Sequence, residues 1–285
     1  MCGFVLSIDD ADFNLLKSCK AIAHRGPTST KYFVDSRIKC GFNRLSIIDD
    51  DPQSDQPIVD CDGRWLLVFN GEIYNYKDLR LQLSLHYGYQ FSTQSDSEVL
   101  LVGLGYEGRH FIEKLNGIYA FVFVDLRDYS ILAARDPFGV KPLFFARHRQ
   151  SLYFCSESKP LAGVIGANLD RQSTALMLSS GSTLMGDSIF TGVHSMKPNT
   201  VIDVSHQSIN EYRIIKKNIL DNVLDSSEEE VVNMIKVAVQ RQLPSIDFGL
   251  QLSGGVDSTF LLSLVDNVPN FSTTYAVNVN DPEMS

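Results

Sequence analysis

Unbroken apolar runs dominate the first two hundred residues. Trp65-Leu66-Leu67-Val68-Phe69, Ile118-Tyr119-Ala120-Phe121-Val122-Phe123-Val124, Ile131-Leu132-Ala133-Ala134 and Leu143-Phe144-Phe145 are short, apolar on both faces and rich in aromatic or β-branched side chains. Such runs predict buried strands. Two stretches of helical periodicity interrupt them. Asn75 can cap a helix that carries Leu79 and Leu83 and stops near Gly88, and Ser95 or Asp96 can cap another that stops by Gly108. Strands around two helical stretches predict an α+β domain over residues 2–204, with stacked sheets covered by helices.

Residues 205–225 are polar and weakly patterned, which predicts a linker. Beyond it, Ser227 and Glu230 stand at capping-box spacing before a helix with Val232, Ile235, Val239 and Leu243 on one face. Glu228-Glu229-Glu230 reads as its solvated first turn, favoured by the helix dipole. After Pro244 come a strand (248–252), a Gly-rich turn, an apolar helix (258–265) and another strand (271–277). That order predicts one βαβ unit, so residues 226–285 read as the start of an α/β domain with a parallel sheet.

Composition narrows the function. A net charge of -9 over 285 residues argues against a nucleic-acid groove, which needs a basic stripe. No apolar run approaches the ~20 residues that span a bilayer. The N-terminus lacks a basic segment and turns acidic within ten residues, which predicts no signal peptide. The five cysteines are odd in number, widely spaced and without a CxxC pair, so neither a disulfide framework nor a zinc site is expected. A reducing cytoplasm fits, with four of the five as buried small hydrophobes.

The fifth, Cys2, has two readings. It is either a chance residue after the initiator or, once Met1 is removed, a nucleophile that carries its own base. The α-amino group of such a residue has a pKa of about 7.7–8.0 and can relay the thiol proton to a leaving amine. No Cys–His motif is then required.

The motifs that follow decide between them. After Met-Cys-Gly the chain reads HRGP (24–27), RLSIID (44–49), QP (56–57), NGEIYNY (70–76), SDSE (95–98), LNGIYAF (115–121), RDPFGVKPL (135–143) and SESK (156–159). In this order they closely resemble the class II glutamine amidotransferases. RDPFGVKPL and the later SGGVDST (253–259) resemble the asparagine synthetase branch. The resemblance covers essentially the whole chain.

It implies an N-terminal nucleophile hydrolase fold, a four-layer αββα sandwich, and a cofactor-free glutaminase with Cys2 as nucleophile. It further implies that Arg44 forks onto the glutamine α-carboxylate, a bidentate contact that lysine does not reproduce. Asp96, supported by Glu72, would pair with the α-ammonium, and the backbone of Leu45, Ser46, Ile47 and Ile48 would line the pocket. The Asn70 side chain and the Gly71 N–H would form the oxyanion hole. Plainer readings stand beside these: Arg44 as a surface ion-pair residue, Asp96 as a helix cap only, and Asn70-Gly71 as a hairpin turn. Arg135 to Lys141 reads as structural. Two departures from the family pattern are Thr28 after HRGP, where Asp is usual, and Asn199 after Pro198, where Gly is usual.

SGGVDST lies between a strand and a helix, where backbone N–H groups and the helix N-terminus favour an anion. It resembles the pyrophosphate loop of ATP pyrophosphatases. Ser253, Gly254, Gly255, Asp257 and Ser258 would hold pyrophosphate, Asp257 would lie near Mg²⁺, and Leu252 and Val277 would flank ATP. A bare Gly-Gly turn is the alternative. Asparagine synthetases continue for hundreds of residues past this point, so synthesis from aspartate is expected only where a second chain completes the domain, with weak ATP binding otherwise. A homodimer stays open. Three functions remain: a glutaminase serving aspartate, one serving a sugar or another carboxylate, and a non-catalytic glutamine-binding remnant.

Overall fold

The computed structural model describes residues 2–45, 55–183, 188–205, 208–215, 227–244 and 246–275, in two compact units, 1–218 and 219–285. The first unit runs β1 (Gly3–Ile8), α1 (Leu15–Ala21), β2 (Ser29–Val34), β3 (Ile38–Arg44), β4 (Ile58–Val59), β5 (Trp65–Ile73), α2 (Tyr76–Tyr87), α3 (Asp96–Glu107) and α4 (Arg109–Ile112). It continues with β6 (Gly117–Asp125), β7 (Ser130–Arg135), β8 (Phe144–His148), β9 (Ser151–Cys155), α5 (Ser158–Ile165), α6 (Arg171–Ser180), β10 (Val193–Ser195), β11 (Thr200–Ser205) and β12 (Ser208–Arg213).

Its strands form two six-stranded sheets, ordered β10-β8-β9-β1-β3-β2 and β12-β11-β7-β6-β5-β4, antiparallel throughout. Three apolar clusters stack them. Phe4, Leu6, Leu66, Val68, Ala120 and Val122 fill the space between the sheets. Leu79, Leu83, Val99, Leu100, Leu101 and Phe111 bring α2, α3 and α4 onto the outer face of the second sheet. Leu15, Cys19, Leu161 and Ala162 bring α1 and α5 onto the outer face of the first. The layers are therefore helix, sheet, sheet, helix, an α+β fold as the sequence predicted. Each fully buried Leu, Phe or Val contributes about 1.5–3 kcal/mol by leaving water, so the stack is held chiefly by these clusters.

Local signals behave mostly as expected. Ser95 is the N-cap of α3 and accepts from the Glu98 N–H. Gly88 closes α2 in the left-handed conformation at φ +66°. Asn75 precedes α2 but spends its side chain on Lys114 O and Asn116 N, tying the helix start to the loop before β6. Asn199 holds the left-handed turn at φ +61°, which asparagine tolerates better than most residues.

Two expectations are corrected. Ser208–Arg213, read as linker, is an edge strand paired with β11. All six residues are exposed, so no alternation marked it in the sequence. The remainder of that expected linker, from residue 216, lies outside the described residues. Only three cysteines are buried, Cys19, Cys40 and Cys155, whereas Cys61 sits exposed on the turn between β4 and β5.

In the second unit, α7 (Glu228–Gln242) starts with the expected capping box of Ser227 and Glu230. β13 (Phe248–Gln251), α8 (Val256–Val265) and β14 (Phe271–Tyr275) follow, and the two strands pair in parallel. This is the βαβ unit. Among the described residues no helix is long and apolar enough to cross a membrane.

Candidate active site

Cys2 immediately precedes β1 and packs against the cluster between the sheets. Its Sγ lies 3.4 Å from the Leu45 N–H that it accepts and 3.8 Å from the Leu45 carbonyl to which it donates. The backbone that turns out of β3 therefore holds the thiol. Its own carbonyl accepts from Arg25 Nε at 3.1 Å, and Arg25 Nη1 reaches Glu157 at 3.3 Å. His24 joins the same carboxylate at 2.8 Å. The Arg25 stem lies over Gly3, where an added Cβ would meet its Cδ at 2.9 Å. Gly26 has no room for a side chain either, since a Cβ would fall 2.1 Å from the Asn43 carbonyl oxygen. The Cys-Gly and HRGP motifs are thus two sides of one clamp on the N-terminus. Arg25 and Glu157 belong to the quoted motifs HRGP and SESK, but no role was foreseen for either.

β5 presents a second set of groups. Tyr74 N–H donates to Asn116 O at 2.8 Å, on the side of β6. Successive N–H groups of a strand point to opposite edges, so those of residues 69, 71 and 73 point to the other edge. There Gln56 grips Phe69 at both ends, its Nε2 donating to Phe69 O at 2.9 Å and its Oε1 accepting from Phe69 N at 2.5 Å. Ile73 N–H donates to Asp96 Oδ2 at 2.9 Å. Between them the Gly71 N–H takes no partner among the described residues. A Cβ on Gly71 would lie 2.2 Å from Ile118 O, so the close approach of β6 requires glycine.

Side chains alternate in the same way. Phe69 and Ile73 face the helices, in the cluster with α2 and α3, so Asn70 and Glu72 face the other sheet. β1 and β5 pack against each other across that interface, which places Asn70 on the face that Cys2 joins. Asn70 is 3% exposed, and its Nδ2 has no hydrogen-bond partner among the described residues. A buried, unsatisfied amide donor is costly, about 1–3 kcal/mol, and marks a place where an acceptor belongs. Asn70-Gly71 is not a hairpin turn; it is the middle of a strand.

The remaining pocket residues divide. Arg44, at the end of β3, pairs with Asp55 and is largely buried, 12% exposed at the side chain. Asp55 was not foreseen, because nothing local announces a partner eleven positions away. With Gln56 it links the arginine to the strand that carries Asn70. Asp96 is both the first residue of α3 and the acceptor for Ile73. Burial pushes its carboxyl up from 3.8 to about 6, the Ile73 hydrogen bond opposes this, and the nearby Glu72 charge adds to it. Burial also raises Glu72, while Lys141 lowers it. Leu45 is described, whereas Ser46, Ile47 and Ile48 lie outside the described residues.

In the second unit, Gly254 turns at φ +78° and Gly255 caps α8. Ser253 Oγ and Ser258 Oγ are 3.0 Å apart, and Gly255 N–H donates to Ser253 Oγ at 3.4 Å. Leu252 N–H donates to Tyr275 O at 2.7 Å, fixing the start of the loop against β14. Asp257 stands in the first turn of α8. Val277 lies outside the described residues.

A glutamine amidotransferase domain family matches residues 1–214. Among curated relatives, asparagine synthetase [glutamine-hydrolyzing] 1 of Bacillus subtilis is 30% identical over 97% of this chain and 46% of its own length. A putative asparagine synthetase [glutamine-hydrolyzing] of Mycobacterium tuberculosis is also 30% identical, over 90% of this chain and 42% of its own. The chain spans about half the length of these relatives. Among solved structures, glutamine phosphoribosylpyrophosphate amidotransferase from Bacillus subtilis superposes with a TM-score of 0.55 at 14% identity, covering 97% of this chain and 65% of that one. That likeness shows the fold, of the N-terminal nucleophile hydrolase type. With three quarters of its length matched by the family and an architecture to agree, the chain belongs to the glutamine amidotransferases.

Proposed function

We propose that the chain hydrolyses glutamine to glutamate and ammonia at Cys2, with the ammonia destined for ATP-dependent amidation of aspartate to asparagine. The observation that carries the first half is the buried Asn70 Nδ2, on the face that Cys2 joins and, like the neighbouring Gly71 N–H, without an acceptor among the described residues. Two adjacent donors of β5, one of them on the face that Cys2 joins, suit a tetrahedral oxyanion. The Cys2 α-amine takes the thiol proton, and the thiolate attacks the δ-carbonyl. Asn70 and Gly71 hold the oxyanion. Collapse expels ammonia, which carries away the proton returned by the amine, and leaves a γ-glutamyl thioester. Water, deprotonated by the same amine, then releases glutamate. Arg44, Glu72 and Asp96 hold the two charged ends of the substrate. The test is steady-state release of glutamate and ammonia from glutamine by protein whose mass shows Met1 removed. Equal release of both is expected, and no release above the uncatalysed rate would overturn the reading. Where further polypeptide completes the second unit, added aspartate and ATP identify the acceptor, because asparagine then accumulates.

The acceptor half rests on the likeness to asparagine synthetases and on the loop before α8. The left-handed Gly254 and the helix N-terminus fit a phosphate group. Ser253, Gly254, Gly255, Asp257 and Ser258 would hold the pyrophosphate of ATP, with Leu252 and Val277 flanking the nucleotide. One carboxylate in this loop fits Mg²⁺ that arrives on the nucleotide, since Mg²⁺ is usually held by one or two carboxylates plus phosphates. The ion would supply charge neutralisation at the phosphates. Val231, Met234 and Ile235 of α7 and Val256 of α8 are exposed, which supports further polypeptide covering this unit. All five cysteines are free thiols, which supports the reducing cytoplasm.

The Asp96 carboxyl gives a pH dependence. Because it titrates near 6 in the fold instead of at 3.8, its protonated form favours the folded state. That contribution is complete below about pH 4 and is lost as pH rises through about 6. An ammonium needs the ionised form, so glutamine affinity should fall about tenfold per pH unit below about pH 6. Calorimetric titration of the Cys2→Ala protein checks this, and a flat affinity between pH 5 and pH 7 would refute it.

A further inference from the structure

The RDPFGVKPL segment is held by a dense set of hydrogen bonds, and glutamine hydrolysis as derived above does not use it. Asp136 is completely buried. Its Oδ1 accepts from Phe138 N and Val140 N at 3.0 Å each. Its Oδ2 accepts from Lys141 N at 3.0 Å and Tyr119 N at 3.3 Å. From the other side Arg135 donates to Lys141 O and Gly139 O at 2.8 Å each, and to Met196 O at 2.6 Å. Gly139 takes φ +65°, which lets the loop close. Burial of the loop's own apolar residues is not what holds it, because Phe138 and Val140 are exposed. The polar anchors fix a backbone position, and the position they fix is that of Lys141.

That position adjoins the glutamine pocket. Tyr119, which shares Asp136 Oδ2 with Lys141, is paired directly with Gly71, and Glu72 is the next residue on β5. Asp96 is bonded to Ile73, one residue further. Four titratable groups therefore bear on Glu72 or on the space beside it: Asp96 from α3, Tyr74 from the end of β5, Asp136 and Lys141 from the loop. Burial, Glu72 and Asp136 raise the Tyr74 phenol, so it stays neutral. Two carboxylates in a half-buried pocket repel, and such a pair tends to share one proton. Lys141 is the cation that acts on Glu72.

We propose that Lys141 is a positioning residue of the glutamine pocket, held beside Glu72 by the Asp136 and Arg135 anchors so that both carboxylates face the substrate ammonium in their charged form. The proposal rests on the glutamine reading of the site. Removing the cation has opposite effects at the two ends of the pH range. At high pH both carboxylates are charged anyway, and a repulsion with the substrate ammonium is relieved. Nearer neutrality the pair retains a proton, which glutamine must displace.

The experiment compares Lys141→Met and Lys141→Arg in the Cys2→Ala background, with glutamine Kd measured calorimetrically from pH 5 to pH 8. In Lys141→Met, the pH below which affinity declines should rise by about one unit, with Kd at pH 8 within about twofold of the parent. Lys141→Arg should keep the parent profile. Methionine preserves side-chain length, and the loop is anchored through the Lys141 backbone, so the melting temperature should not change. A loss of affinity equal at every pH, or a profile identical to the parent, overturns the proposal while leaving the glutamine site standing. Failure of the Cys2→Ala protein to bind glutamine at any pH removes the site itself, and this inference with it.

Discussion

Cys2→Ala protein should bind glutamine and release no glutamate. The other thiols cannot take over. Burial pushes Cys19 and Cys155 up to about 12 and Cys40 well above its ordinary value, so none is a thiolate near neutral pH. Cys61 is exposed, on a turn at the far end of β5 from Asn70. Alanine removes only the sulfur, while the Arg25 bond to the residue-2 carbonyl remains to hold the backbone in place. Glutamate assay and calorimetry on the same preparation check both halves. Residual turnover close to the parent would disprove the nucleophile assignment, as would active protein that retains Met1.

Asn70→Ala should lower kcat about 10²–10³-fold, the usual effect of deleting one oxyanion donor, with a much smaller change in KM. The split follows from where the amide points. Its Nδ2 is buried and without an acceptor among the described residues, so its contribution comes when negative charge develops on the substrate oxygen. Folding should not suffer, because truncation removes an unsatisfied polar group. A kcat loss under about threefold would mean that another group holds the oxyanion.

Much of this fold could be read from the chain. Runs such as 118–124 are apolar on both faces because they lie between a sheet and a helix layer, and that produced a clear strand signal. β12 left no such trace, since an exposed edge strand needs no buried face. The end of β5 was harder for the opposite reason: Asn70 and Glu72 are polar residues turned inward, where the pattern rule expects apolar ones. The proposed function accounts for that departure from the pattern. The resemblance of short motifs supplied Cys2, Arg44, Asn70 and Asp96. The groups that hold Cys2, Arg44 and the β5 strand, Arg25, Asp55 and Gln56, act across 11 to 23 positions, a relation that no local spacing encodes. Glu72 and Asp96 could be named from sequence, but their mutual electrostatics required the fold.

The Gln56 clamp on Phe69 also bears on self-association. Among the described residues β4 covers only two residues of β5, Leu66 and Leu67, so the margin of the second sheet would otherwise offer another chain a further peptide unit to pair with. A glutamine amide carries one donor face and one acceptor face at the spacing of a peptide, and it satisfies Phe69 without extending a strand. Intermolecular sheet growth at Phe69 therefore meets hydrogen-bonding groups already consumed, a safeguard against aggregation two residues from the Gly71 N–H that the proposed site reserves for a small molecule.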